Sequence, residues 1–193
     1  MRLPDPPNFQ ASDAIHQGSA VPDVRMHAHM PMPQIDTGHL VVDPEIELKA
    51  KKFNLAISLF YSSATSTATE FGVGRTASIR AYIEDGSGAY TDMKVLNRGD
   101  WSNQYFSMVG TTGSVSTFVS STNTGNITTL SYDSSVTGGE YTEYFNTGMQ
   151  LKYRLQGGKH RLFKVQDADG VAQTYVYGSG VEENYVKSIE VPG

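Results

Sequence analysis

The last third of the chain alternates between apolar and polar residues in short segments, and turn sequences separate these segments at nearly regular intervals. Alternation with a period of two residues is typical of strands that bury one face. We expect four strands here, and they cover residues 149–154, 161–166, 171–177 and 185–191. Because the intervening turns are short and rich in Gly and Asp, neighbouring strands should pair as hairpins. The pattern predicts antiparallel β-structure.

The clearest single strand lies earlier in the chain. Large apolar residues occupy every second position in it, namely Phe53, Leu55, Ile57 and Leu59. We expect this face to pack against the rest of the protein, where burial of each side chain contributes about 1.5–3 kcal/mol before conformational entropy is subtracted. A shorter strand before it should stop at Asp43-Pro44, because proline has no amide donor.

The segment between these two regions predicts further hairpins and no helix. Glycine-rich turns interrupt it, and no apolar series at positions i, i+3, i+4 and i+7 survives the glycines and β-branched residues. Trp101, Tyr105 and Phe106 are the large aromatic residues expected to pack or to form an interface here. The whole pattern predicts an all-β antiparallel meander, either an open strip of hairpins or a thin sandwich.

Residues 1–38 differ from the rest of the chain because most of its eight prolines lie there. Proline fixes φ and interrupts regular structure, so we expect a disordered or extended arm, rich in Pro, Met and His. Residues 39–193 then form the antiparallel β domain.

The composition narrows the possible partners. The net charge is −5 and no basic stripe is present, which argues against nucleic acid. The chain has no cysteine, so disulfides and thiolate metal sites are excluded. No apolar run approaches the roughly 18 residues of a membrane span, and the first residues do not form a signal peptide. The Ser/Thr-rich β composition nevertheless suggests a secreted or cell-surface protein.

One cluster of metal-ligand residue types occurs in the N-terminal arm, and it consists of Met26, His27, His29, Met30 and Met32. Imidazoles and thioethers suit Cu(I), but a flexible arm of chance composition explains the same residues, and no cofactor is expected. Asp167-Ala168-Asp169-Gly170 resembles half of a calcium loop, and it lacks the distal ligands, which favours a turn.

Residue types used in catalysis are present but do not form a motif. Glu140 and Glu143 are separated by an odd spacing, which places them on opposite faces of a strand. His160 is expected in an exposed turn without a nucleophile at a motif spacing. We therefore expect no enzyme. A set of aromatic residues could stack on sugars or pack in a core, and core packing is the simpler interpretation; the set is Trp101, Tyr105, Phe106, Tyr141, Tyr144 and Tyr153.

Several segments in the same order resemble the N-terminal shell region of Rhs/YD-repeat polymorphic toxin proteins. The resemblance rests on Val42-Asp43-Pro44, Phe71-Gly72-Val73-Gly74, Gly139 to Phe145, the Leu162 to Gly170 strand and turn, and Val186 to Gly193. In the second of these segments Arg75 stands where the family has Trp. The resemblance covers residues 40–193.

The resemblance implies a non-enzymatic structural segment, the start of a YD-type β strip that would encapsulate or present a downstream toxin or adhesive domain. Its partners would be downstream parts of the same longer polypeptide. An open strip leaves an unpaired edge, so edge-to-edge self-association is also expected. The alternative from a different class is a secreted carbohydrate-binding β-sandwich module.

Overall fold

The computed structural model describes residues 39–48, 55–120 and 128–191. The predicted arm and its Met/His cluster (Met26, His27, His29, Met30 and Met32) lie outside the described residues, as does Phe53. The described part is built from strands and three short 3₁₀ turns and contains no α-helix. The all-β prediction is therefore confirmed for this part of the chain.

Fifteen strands are formed by the described residues. They are β1 (His39–Leu48), β2 (Leu55–Ser62), β3 (Ala68–Thr69), β4 (Gly72–Val73), β5 (Arg75–Ala77), β6 (Tyr82–Asp85), β7 (Met93–Asn97), β8 (Asn103–Thr112), β9 (Val115–Ser120), β10 (Thr129–Asp133), β11 (Glu140–Tyr144), β12 (Gln150–Gln156), β13 (Lys159–Gln166), β14 (Ala172–Tyr177) and β15 (Val186–Glu190). The last four match the strands that the alternating pattern predicts in the final third.

Strands β6 to β13 form a closed antiparallel barrel. Each strand pairs with the next in sequence order, and β13 returns to β6 through the pairs His160–Ile83 and Arg161–Tyr82. The predicted meander is confirmed, but the prediction of an open strip or thin sandwich is wrong. Closure satisfies the backbone groups that an open strip would leave exposed at its two edges.

Strand β13 pairs with three other strands of the same sheet. It pairs with β12 along its whole length, while its first half pairs with β6 and its second half, from Lys164 to Gln166, pairs with β14. A bulge at Phe163 separates the two halves. Strands β14 and β15 therefore extend the sheet beyond the barrel as a two-stranded leaf, and Tyr175 of β14 is buried in the same core cluster as the barrel residues.

A second, three-stranded sheet is formed by β1, β2 and β5. Asp43-Pro44 does not end β1 as predicted; instead the register shifts between Val42 and Ile46 and the strand continues. An irregularity of this kind accommodates a proline without breaking the strand. Of the predicted packing face, Ile57 and Leu59 are half-buried, whereas Ser58 and Phe60 on the opposite face of β2 are buried. Leu55 begins β2.

The core lies inside the barrel. The register places every second residue of each barrel strand on the inner face, and the fully buried apolar side chains Ile83, Leu96, Phe106, Leu130 and Tyr153 all come from this set. Large side chains fill the middle of an eight-stranded barrel in this way. The two ends of the barrel are left to polar residues.

Candidate functional site at the mouth of the barrel

The barrel has an open end, which we call the mouth. Four reversals meet there, residues 86–92, 113–114, 134–139 and 157–158, because a meander carries every second connection to the same end. A cavity of about 620 Å³ opens between them. Its wall is formed by Ile83, Glu84, Asp85, Thr91, Asp92, Met93, Lys94, Met108, Ser116, Phe118, Tyr132, Tyr141, Leu155, Gly158, Lys159 and His160. This volume lies within the range of small-ligand sites.

An ion pair lies on the inner face of the mouth. Asp85 at the end of β6 and Lys94 near the start of β7 are directly opposite in the register, and Lys94 Nζ donates to Asp85 Oδ1. Burial lowers the pKa of Lys94, but its contacts with Asp85 and the Tyr141 hydroxyl outweigh burial and leave the pKa raised. The Lys94 side chain is 27% exposed and that of Asp85 is 78% exposed. The ammonium therefore faces the cavity while its carboxylate partner reaches solvent.

Three rings form a cluster beside this ion pair. The ring centroids of Tyr132 and Tyr141 are 4.6 Å apart, and the His160 ring stands edge-on to both, at 5.9 and 4.8 Å. His160 Nε2 lies 3.1 Å from the Gly138 carbonyl oxygen and donates its proton there. Burial lowers the pKa of His160, an effect larger than the opposing one of the Gly138 carbonyl. The imidazole is therefore neutral at pH 7.

The turn between β10 and β11 holds the cluster in place. Asp133 accepts hydrogen bonds from the Ser135 amide (2.9 Å) and hydroxyl (2.7 Å) and from the Ser114 hydroxyl (2.9 Å) of the neighbouring reversal. These bonds lower the pKa of Asp133. Gly139, at φ 75, lies directly under the Tyr132 hydroxyl. The turn thus fixes Tyr132 through Gly139 and His160 through the Gly138 carbonyl.

The opposite end, which we call the closed end, carries the described reversals 98–102 and 145–149, and an ion pair lies inside it. Arg98 reaches across the barrel to the carboxylate of Glu143, with Nη1 2.7 Å from Oε2. Tyr153 donates to the same carboxylate at 3.3 Å, and Gln104 accepts from Arg98. Burial lowers the pKa of Arg98, yet Glu143 more than compensates, so the pKa is raised. The Arg98 guanidinium and the Glu143 carboxylate thus find their partners within the protein.

The aromatic residues predicted as a packing or sugar-stacking set are dispersed by the fold. Trp101 lies at the closed end, where its Nε1 donates to the Gly74 carbonyl oxygen at 3.2 Å. Tyr105 lies on the outside of β8 and stacks on Tyr90 at 4.3 Å. Phe106 and Tyr153 are fully buried, Tyr144 is exposed, and of the six only Tyr141 lines the mouth.

The other candidate residues are equally separated. Glu143 lies inside the barrel at the closed end, whereas Glu140 is on the outside with Arg154 at 2.9 Å, so the predicted opposite faces are confirmed. Asp167 accepts from the Val171 amide at 2.7 Å, which closes a turn. Among the described residues, no three His, Asp or Glu side chains form a group able to hold a metal ion.

The prediction for His160 is wrong. The reversal before it consists only of Gly157 and Gly158, with φ of 57 and 77, so His160 already belongs to β13 and faces the cavity opposite Leu155. Two residues with positive φ form the tight turn that Gly-Gly favours in hairpins. Alternation along β13 places His160 on the same face as the buried Leu162, and alternation along β6 places Asp85 on the same face as the buried Ile83.

No protein-family model and no curated protein matches this sequence. The resemblance to Rhs/YD-repeat proteins therefore stays a prediction. Within the described residues there is no helix of the length and hydrophobicity needed to cross a membrane.

Proposed function

We propose that this chain is a non-enzymatic binding module that takes a small amphipathic molecule into the mouth of its barrel. One observation carries the proposal, namely the cavity of about 620 Å³ at one end of a barrel whose middle holds large buried side chains. Barrels of this size hold one small ligand when their side chains leave one end open.

The wall of the cavity has two kinds of surface. Met108, Phe118 and Leu155 offer apolar contact, while Lys94 and Ser116 offer hydrogen bonds. An entirely apolar ligand would remove water from the polar groups without replacing its hydrogen bonds, which costs free energy. A ligand with an apolar body and a few polar atoms matches both surfaces.

Binding is tested with 6-propionyl-2-(dimethylamino)naphthalene, a neutral dye that combines an aromatic body with one carbonyl acceptor and whose emission shifts to the blue in apolar surroundings. We expect a saturable blue shift with the purified chain. Met108→Trp should abolish the shift by filling the mouth, since Met108 lines the cavity and is 60% exposed. Val119→Trp is the matched control, because Val119 is an exposed apolar residue on the outer face of the adjacent β9.

Two results would contradict this proposal: no saturable shift with the unaltered chain, or equal binding by the two tryptophan variants. Circular dichroism of each variant establishes that the barrel is retained.

We also propose, on a separate observation, the role implied by the resemblance to Rhs/YD-repeat proteins, a structural segment of a larger secreted or cell-surface shell. Strand β15 has a partner only in β14 among the described residues, so its outer edge offers backbone groups to a further strand. Tyr-Asp repeats encoded directly after Gly193 would support this role, and a stop codon at that position would contradict it. Light scattering checks whether two copies associate through the same edge.

A further inference from the structure

We infer that the ligand of the mouth is a neutral ring that carries several hydroxyl groups, as in a sugar; this inference rests on the proposed binding function. The first argument is the charge of the wall. Four of the five charged side chains of the wall form ion pairs, Lys94 with Asp85 and Lys159 with Glu84 (Nζ to Oε2, 2.6 Å), and the fifth is Asp92. An anionic ligand must compete with a carboxylate for an ammonium that is already paired, whereas a neutral ligand leaves both pairs intact.

The second argument is the inventory of hydrogen-bonding groups. An ammonium carries three N–H donors and a carboxylate accepts at two oxygens; Lys94 gives one donor to Asp85 and approaches the Tyr141 hydroxyl. A pair of this kind presents a donor beside an acceptor, and a hydroxyl group can accept from one while it donates to the other. The hydroxyl groups of Thr91 and Ser116 also line the cavity. Thr91 donates to the Gly88 carbonyl oxygen at 2.6 Å and Ser116 shares a hydrogen bond with the Thr111 hydroxyl at 3.0 Å, which leaves an acceptor position on each for a ligand.

The third argument is the apolar wall opposite these groups. Phe118 is buried and Tyr132 is half-buried at the cavity, and the C–H face of a sugar ring packs against aromatic side chains of this kind. Tyr132 packs closely against Gly139 and against the Tyr141 ring, at 4.6 Å between ring centroids, so its ring is in position before any ligand arrives. An ordered ring lowers the entropic cost of binding.

Such a ring has two sources, a free monosaccharide or the terminal residue of a glycan, and the open mouth admits both. The experiment records amide chemical shifts of the labelled chain during titration with D-glucose, D-galactose and D-mannose, and probes a glycan array in parallel. Saturable shifts with a free hexose identify the first source, and array binding alone identifies the second. D-Glucuronate and D-glucosamine serve as the anionic and cationic relatives of the neutral ring.

The site is located with Lys94→Met, which should weaken sugar binding roughly ten- to a hundredfold through loss of a charged hydrogen bond. Lys152→Met is the matched control. Lys152 forms an ion pair with Glu140 on the outside of the barrel at 3.5 Å, and the two lysine side chains are equally exposed, 26% for Lys152 and 27% for Lys94. The control should bind sugar as tightly as the unaltered chain.

Three results would overturn the inference. These are dye binding with no response to any hexose or glycan, binding of D-glucuronate or D-glucosamine more than roughly tenfold tighter than D-glucose, and equal losses in the two lysine variants. In the first case the mouth still binds a small molecule and only the ligand class is wrong. If the dye also fails to bind, the proposed function itself is wrong.

Discussion

Each end of the barrel carries a charge pair on its inner face, and the two pairs differ in how far they are exposed to solvent. Each end places a basic residue of the β7 region opposite a carboxylate, Arg98 with Glu143 at the closed end and Lys94 with Asp85 at the mouth. The Glu143 side chain has no exposure, whereas that of Asp85 is 78% exposed. At the closed end, hydrogen bonds from other protein groups complete the surroundings of the charge pair. At the mouth, the cavity lies beside the Lys94–Asp85 pair.

The difference shows what decides the role of a charge pair inside a barrel. A buried pair loses its hydration and must be fully hydrogen-bonded, and Tyr153 and Gln104 complete the shell around Arg98 and Glu143. A pair at an open end retains water on one side, and a ligand can replace that water. The closed end is therefore expected to determine stability and the mouth to determine binding.

The largest contrast is expected from removing one carboxylate at each end. Glu143→Ala leaves the Arg98 guanidinium buried without its partner and should lower the free energy of unfolding by about 3–5 kcal/mol. Asp85→Ala removes an exposed partner and should cost about 0–1 kcal/mol. Urea denaturation of both variants measures the two values. Equal shifts of the midpoint would mean that the two ends do not differ in this way.

A smaller contrast is expected between two glycines of the mouth. Gly139 and Gly158 have φ of 75 and 77, so alanine at either position should cost about 1–2 kcal/mol of backbone strain. A Cβ at Gly139 would also collide with the Tyr132 hydroxyl, whereas a Cβ at Gly158 has no neighbour within 4 Å. Both variants should therefore lose stability in thermal melts, and Gly139→Ala should lose more than Gly158→Ala.

Only Gly139→Ala should change the aromatic proton shifts of Tyr132 and weaken binding of the dye. If Gly158→Ala weakens dye binding as strongly as Gly139→Ala does, then the loss of binding does not come from a displaced Tyr132 ring.

The smallest effect is expected from pH, and it arises from His160 at the mouth. The folded-state pKa of His160 is lower than its ordinary value of 6.5, so below pH 6.5 the unfolded chain binds more protons and stability decreases as the pH falls. Asp133 has a lowered pKa as well, but its contribution is lost only below its ordinary value of 3.8. Melting temperatures between pH 5 and pH 7.5 should therefore fall more for the unaltered chain than for His160→Gln. Parallel curves would exclude His160 as the source.

Local pattern predicted most of the strands but could not predict closure. The last four strands follow from alternation and glycine turns, because both signals act over a few residues. The closing pair of β13 and β6 joins residues that are far apart in sequence; Lys159 and Glu84, which meet at this seam, are 75 positions apart. Alternation shows which residues share a face, but it does not show how many strands pass before the sheet meets itself.

The candidate site was predicted only in part for the same reason. Tyr141 belongs to the predicted aromatic set, but the sequence gives no reason to single out Asp85 or Lys94 before closure places them on the inside of the barrel. The sequence also predicts His160 in a turn, whereas the turn contains only Gly157 and Gly158. Each of these residues gains its role from the opposite wall of the barrel, which no local window of sequence contains.

The alternation of reversals in the meander has a practical consequence. The four segments 86–92, 113–114, 134–139 and 157–158 come from four different hairpins, yet all border the same entrance, and the interstrand ladders do not depend on their side chains. Libraries that randomise only the non-glycine positions of these segments would vary the entrance, while the turn glycines, most of which have positive φ, keep the reversals in place. The chain is in that sense a natural starting framework for engineered receptors, with its variable and constant parts already separated along the barrel axis.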